Sequence, residues 1–303
     1  SDAAARLAAI SQQAYNETVE DVSSAISKRS TGSCTLKNLR VRREWHMASL
    51  TLSRRNKLSA SDRKAYIKAV QCLQSKLAKT PASVAPGAKT RYDDFVATHI
   101  YQTLTIHYTG NFLSWHRYYT WVYEEALRNE CGYTGTQPFW DWGLTALTSL
   151  EKSPIFDGSD TSMSGNSVYQ GARPDYALGA STGLPPLYLP AGTGGGCVTS
   201  GPFKDIKVNL GPVALDLPGG AVAGGGPGPG LAYNPRCLSC DLKSAVVKKF
   251  ADYATIRHNI IKPTNINDFQ MEMQGIPGTS VLGIHGAGHY GSGGDPGDDV
   301  FVS

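Results

Sequence analysis

The stretch HIYQTLTIHYTGNFLSWHRYY, residues 99–119, holds three of the seven histidines in a chain of 303 residues. Apolar spacing predicts a helix over Tyr92–Thr105 and a second over Ser114–Asn129. The second is expected to start near Asn111 or Ser114 and to end at Cys131-Gly132. Trp115, Tyr118, Tyr119, Val122 and Leu127 are read as its broad apolar surface. His99 and His116 then sit on helices, and His107 sits in the Tyr-Thr-Gly connection between them. Three imidazoles from two helices and one loop can converge on a metal, for which imidazole is the commonest protein ligand. Spacing alone leaves the alternative of unrelated structural histidines open.

A second group adds weight. His285-Gly-Ala-Gly-His289 is an HxxxH pattern, which on a helix sets both rings on one face. A zinc peptidase requires a glutamate directly after the first histidine, and that position is Gly286. What remains is a neutral all-nitrogen set with no adjacent carboxylate or cysteine. Such a set suits copper, zinc, iron or nickel and argues against magnesium, calcium and manganese. Three histidines from one segment and two from another imply two metals.

The rest of the chain fixes the frame. Ser59–Leu77 reads as a helix capped by Ser59 or Ser61, with Tyr66, Ile67, Val70 and Leu73 as its buried stripe. Residues 3–28 read as an amphipathic helix, followed by an exposed connection at Lys28-Arg29. Another helix is expected over about 240–259, through Leu242, Val246, Phe250, Tyr253 and Ile256. Between about 150 and 235 periodicity fails, and thirteen glycines fall between 192 and 230. That stretch reads as loops laid over a helical body, not as a second core. The expected fold is mainly α: a helical-bundle core holding a dinuclear metal site, with long Gly/Pro-rich loops. It forms one domain over 1–303, with an N-terminal helix in 1–30 and a loop-rich insert at about 150–235.

Composition excludes several classes. No apolar run is long enough to span a bilayer. The net charge of +4 is small, and basic clusters such as Arg40–Arg43 and Arg54-Arg55 are too short for a nucleic-acid footprint. Six cysteines, at 34, 72, 131, 197, 237 and 240, suit three disulfides, with fifteen pairings open. Cys237-Leu-Ser-Cys240 lacks the partner ligands of a zinc site and reads as two structural half-cystines. Asn16-Glu17-Thr18 is a glycosylation sequon and, with the cysteines, favours secretion.

These residues carry a resemblance. His-x7-His-x8-His, continued by Leu-Ser-Trp115-His116-Arg-Tyr and by Gln-Pro-Phe-Trp140-Asp-Trp, resembles the first copper site of the tyrosinase and catechol oxidase family. Ile284-His285-Gly-Ala-Gly-His289, then Gly-Gly-Asp295-Pro, is similar to the start of its second copper site. Arg-Glu-Trp45 and the Ala-Tyr66-Ile helix match the short secreted fungal members. The resemblance spans roughly residues 34–303. It implies two copper ions, one on His99, His107 and His116 and one on His285 and His289. It places Val300 and Val302 as an apolar gate, and Gly286 in the substrate pocket. Asp141, Asn111 and Asp295 are candidates to orient the rings, and Trp115, Trp140 and Trp142 belong to the core.

The chain departs from the family pattern in three ways. The family's second copper takes a third histidine some twenty residues further on, beyond Ser303. His46 and His258 are the spare histidines, and both are expected to be exposed or structural. The sixth ligand is therefore expected on a C-terminal piece, which a retained fragment could supply. Relatives often carry a cysteine two residues before the second histidine, joined to a histidine as a thioether; here that position is Thr105. Tyrosinases often carry an asparagine after the first ligand of the second copper, where Gly286 stands. The expected activity is oxidation of small o-diphenols to o-quinones by O2, that of a catechol oxidase. The alternatives are a tyrosinase that also hydroxylates monophenols, a hemocyanin-like oxygen carrier, and a structural zinc protein.

Overall fold

The computed structural model describes residues 42–45, 58–179, 183–213, 228–276 and 278–294. The predicted helix at 3–28, Cys34, the sequon at Asn16 and the basic residues 40, 54 and 55 lie outside them. Helix α1 spans Ala60–Ser75 and opens with a capping box. The Asp62 N–H donates to Ser59 Oγ at 3.1 Å, and the Ser59 N–H donates to Asp62 Oδ2 at 3.2 Å. Each helix start leaves backbone N–H groups without partners, and this reciprocal pair satisfies two of them. The predicted stripe of Tyr66, Ile67, Val70 and Leu73 is buried.

Helix α2 (Arg91–Ile106) repeats the device with Thr90 and Asp93. Asp93 is itself buried and also receives the Asn209 side-chain amide at 2.9 Å, which ties the helix start to the loop region. Helix α3 (Phe112–Cys131) ends at Gly132 in the left-handed conformation, φ 67°. Glycine suits that C-terminal position because it has no Cβ to clash. Helices α2 and α3 meet through rings: Phe95 packs edge-on against Tyr119 and Tyr123, and the Tyr119 hydroxyl donates to Phe95 O at 2.7 Å. Tyr118, predicted on the apolar surface, is instead exposed, because the helix turns it away from Tyr119. The Cys72–Cys131 disulfide pins the ends of α1 and α3 together.

The remaining helices are short: α4 (Trp142–Leu147), α5 (Ser244–Phe250), α6 (Tyr253–Ile261), α7 (Ile266–Gln274) and α8 (Gly283–Ser292). The single helix expected over 240–259 is thus two. Asp252 has extended backbone and its carboxylate accepts from the Thr255 N–H at 2.8 Å, so it caps a new helix instead of continuing the old one. The Tyr253 hydroxyl donates to Asp141 Oδ2 at 3.1 Å, binding α6 to the start of α4.

The loop-rich insert is more structured than its composition suggests. It forms three two-stranded antiparallel ribbons: β1 (Ser167–Tyr169) with β4 (Gly195–Val198), β2 (Tyr176–Leu178) with β3 (Leu187–Leu189), and β5 (Lys207–Val208) with β6 (Arg236–Cys237). Leu189, Val198, Phe203, Val208 and Leu210 from this region are buried in the same core as the helices. Asp241 anchors it. Burial alone would raise this carboxyl's pKa, but the Arg173 guanidinium at 2.7 Å, the Lys243 ammonium and two backbone N–H groups lower it.

Two disulfides occur among the described residues, Cys72–Cys131 and Cys197–Cys237. The expectation that Cys240 is a half-cystine is corrected: it is a buried free thiol. Its Sγ donates to Gly165 O at 3.0 Å beside Ser164 and Ser167, a closed polar nest that burial stabilises in the protonated form. No helix among the described residues is long and apolar enough to cross a membrane.

The Cys72–Cys131 bridge closes a loop of 59 residues. Closing a loop of that length restricts the unfolded chain by roughly 4 kcal/mol. Replacing both cysteines by serine should lower the melting temperature by on the order of 10 °C, read by calorimetry. A shift under about 2 °C would show that the bridge adds nothing.

Candidate metal centre

Helix α2 carries His99 on its buried face, and His107 is the residue that ends the helix. Helix α3 begins five residues later and presents His116 one turn in. The helices run antiparallel, so the three rings face one another. One ligand-capable atom from each ring lies within 4.8 Å of the others. Ring centroids are 5.2 Å apart for His99–His107, 5.0 Å for His107–His116 and 5.5 Å for His99–His116.

Ring orientation is set by the backbone. His107 Nδ1 lies 2.9 Å from Thr103 O, and His116 Nδ1 lies 2.7 Å from Phe112 O. A carbonyl only accepts, so Nδ1 carries the proton and Nε2 is left with its lone pair facing inward. In both cases the acceptor is four residues earlier on the ring's own helix. His99 Nε2 lies 3.3 Å from His116 Nε2. Asn111 and Asp141, expected to orient rings, are engaged elsewhere: Asn111 accepts from the Thr109 hydroxyl, and Asp141 caps α4.

The second group comes from α8, where the HxxxH pattern is helical as predicted. His285 and His289 Nε2 atoms are 3.0 Å apart. The two groups meet. His107 stacks on His285 with centroids 5.5 Å apart and planes inclined by 29°, and His116 lies 6.3 Å from His285. All five rings named from the sequence are therefore brought together. His258 is apart, on α6, in a surface pair with Glu272. His46, Asp295, Val300 and Val302 lie outside the described residues.

Burial makes these rings neutral. The His116 pKa is pushed down to about 4, chiefly by loss of water, which outweighs the opposing hydrogen bond to Phe112 O, and further by the nearby His107 and His289. His99 and His285 are driven well below the ordinary imidazole value for the same leading reason. His99, His116 and His285 therefore offer uncharged nitrogens at neutral pH, and the residues present fit a soft or borderline cation that takes imidazole.

The wall around the rings is aromatic. Trp115 stacks on Tyr119 at 4.8 Å and donates its Nε1–H to Gln102 Oε1. Phe112 was not singled out by sequence, yet its ring touches both groups, with centroids 4.7 Å from His116 and 5.0 Å from His285. Nothing in its local pattern marks it beyond an apolar residue at a helix start. A largely apolar cavity borders His285 and His289 and is walled by Trp45, Phe139, Trp140, Trp142 and Met163.

Comparison with known proteins agrees with this site. The family model described as the common central domain of tyrosinase matches residues 89–303. The tyrosinase-like protein orsC of Emericella nidulans is 38% identical over 278 residues, covering 90% of this chain and 70% of its own. Tyrosinase P of Aspergillus terreus is 38% identical over 256 residues, 84% of this chain and 67% of its own. A glycine-to-asparagine variant of the polyphenol oxidase from Thermothelomyces thermophila superimposes with a TM-score of 0.80 at 41% identity, covering 99% of this chain and 73% of that one.

The depressed histidines give the metal-free protein an acid-labile site. In the unfolded chain they titrate near pH 6.5, and in the folded chain lower, His116 at about 4. Between those values the unfolded state binds more protons, so stability falls as pH drops from about 6.5 toward 4. Urea midpoints of the metal-free protein should decline over that window, and His116→Gln should flatten the decline. A slope unchanged by the substitution would contradict the burial argument.

Proposed function

The chain belongs to the tyrosinase family, and from that premise we propose that it is a catechol oxidase, oxidising small o-diphenols to o-quinones while O2 is reduced to water. The observation that carries the reading is the meeting of two histidine groups from distant parts of the chain at the His107–His285 stack. His99, His107 and His116 would hold one copper, and His285 and His289 would be ligands of the other. Copper, when bound, supplies a pair of one-electron couples through which two electrons from a diphenol reach O2.

This chain's residues contribute position and environment. Thr103 O and Phe112 O hold His107 and His116 with Nε2 directed inward. The three-residue cluster found among the described residues is made of histidines alone, which leaves the positive charge of bound metal available to an anionic phenolate. Phe112, Trp115 and Tyr119 keep water from the first group. Two o-diphenols and one O2 give two o-quinones and two waters, which balances four electrons and four protons.

Position 286 supports the choice of diphenols. Gly286 follows His285 on the buried side of α8, and a Cβ there would stand 2.9 Å from Leu282 Cδ1. No side chain at 286 is available to take a proton from a monophenol, whose hydroxyl is far less acidic than bulk pH requires. A positioned base contributes about 10²–10⁴ in rate. The alternative reading, hydroxylation of monophenols as well, draws on the name of the Aspergillus terreus relative. We place the protein outside the cell, in keeping with its disulfides.

The test is metal analysis with steady-state kinetics. The protein should bind about two copper ions and turn over 4-methylcatechol with kcat/KM roughly 10² or more above that for p-cresol. Comparable values for the two would reject the diphenol assignment. Reversible O2 binding without turnover of any diphenol would make it a carrier instead.

A further inference from the structure

Helix α7 contributes no histidine, yet it makes the closest polar contacts to the loop that carries His107. Its two glutamines, Gln270 and Gln274, stand one turn apart on a single face, and both are buried, the second to 2% exposure. The Tyr108 N–H donates to Gln274 Oε1 at 2.6 Å, and the Tyr108 hydroxyl donates to Gln274 O at 3.3 Å. Gln270 Nε2 donates to Gly110 O at 3.3 Å. The residue directly after His107 is thus held through its backbone, and the next turn of the loop is held at Gly110.

Tyr108 is held in an unusual conformation. Its φ is +53°, the one non-glycine with positive φ among the described residues. A tyrosine adopts that region only when its surroundings impose it. The Gln274 amide oxygen supplies the imposition by accepting an N–H that a left-handed residue aims sideways.

The same C-terminal end of α7 meets the second histidine group. Gly275 ends the helix at φ +83°, and Gly283 opens α8 at φ +76°. A Cβ on Gly275 would collide with Leu282 O, and one on Gly283 with Gly275 N. The two backbones therefore touch without side chains between them. His285 follows two residues later. The C-terminal turn of α7 is thus a strap between the His107 loop and the root of α8.

We infer that Gln270 and Gln274 are positioning residues that set the spacing between the two histidine groups, and so between the two metals. The inference rests on the dicopper reading given above. Its mechanism is geometric: the amide contacts fix the loop at 108–110 relative to α7, the glycine contact fixes α7 relative to α8, and the His107–His285 stack follows from both.

Three substitutions test it in the full, copper-loaded chain. Gln274→Leu keeps the size and removes the acceptor. Gln274→Glu keeps an oxygen at the same place. Gln270→Leu removes the contact at Gly110 alone. The readouts are copper per chain, the fraction of Cu(II) visible by electron paramagnetic resonance, and kcat with KM for 4-methylcatechol. Two Cu(II) ions held close together couple and are silent; ions pushed apart become visible. In Gln274→Leu copper should stay near two per chain while the visible fraction rises several-fold. Its kcat should fall tenfold or more with KM changed less than threefold, since small misplacements at a reacting site cost rate before binding. Gln274→Glu should restore both values, and Gln270→Leu should move them the same way by less. If Gln274→Leu does not fold, Gln270→Leu decides by the same readouts. A silent, fully active Gln274→Leu, or a Gln274→Glu no better than it, overturns the inference. A wild-type chain that binds no copper pair overturns the dicopper reading instead.

Discussion

The structure is organised around five imidazoles held in contact, three of which burial keeps uncharged. Buried polar groups are costly without partners, and buried charges more so. Here the rings escape both costs. Desolvation holds His99, His116 and His285 in the neutral form, and the backbone carbonyls of Thr103 and Phe112 satisfy the ring N–H of His107 and His116. The result, among the described residues, is a group of imidazole nitrogens turned toward one another.

The two halves of that group are built differently. The first is almost self-contained, since a helix, a five-residue loop and an antiparallel helix bring three rings together within eighteen residues. The second depends on a helix that is poor by intrinsic preference. Helix α8 reads GIHGAGHYGS and carries four glycines in ten residues. Each glycine in a helix interior costs roughly 0.5–1 kcal/mol relative to alanine. Close approach explains them. A Cβ at Gly288 would press on Trp142, one at Gly291 on Val247, and one at Gly283 on Gly275. The helix trades propensity for proximity to α5, α7 and Trp142, and tertiary packing holds it in place.

Much of this was legible in the sequence where the signal is local. Ser59 and Asp62, like Thr90 and Asp93, stand three residues apart before apolar runs, so the helix starts follow from capping chemistry. The five histidines were named from spacing and family pattern, and the fold brings them together. What failed was nonlocal. The break between α5 and α6 turns on Asp252 choosing to cap, which an unbroken apolar rhythm hides. Cys240 was counted with the other cysteines, although its site offers hydrogen-bond partners and not a second sulfur. The insert's short strands are two to four residues long, below the length at which alternation can be read. Phe112 and the α7 glutamines act on rings far from them in sequence, and glutamine in a polar helix carries no mark of burial.

This division has a dynamic consequence. Segments open with free energies that follow their own packing. The first histidine group lies between α2 and α3, which are joined by ring packing along their length and braced by the Cys72–Cys131 bridge at the far end of α3. The second rests on a glycine-rich helix of ten residues, held by α5, by Trp142 and by the strap through α7. Opening of α8 would separate His285 and His289 from His107 while leaving the first three rings assembled. The second group is therefore the one whose geometry is maintained from outside its own segment, through the close backbone and side-chain contacts that its glycines allow.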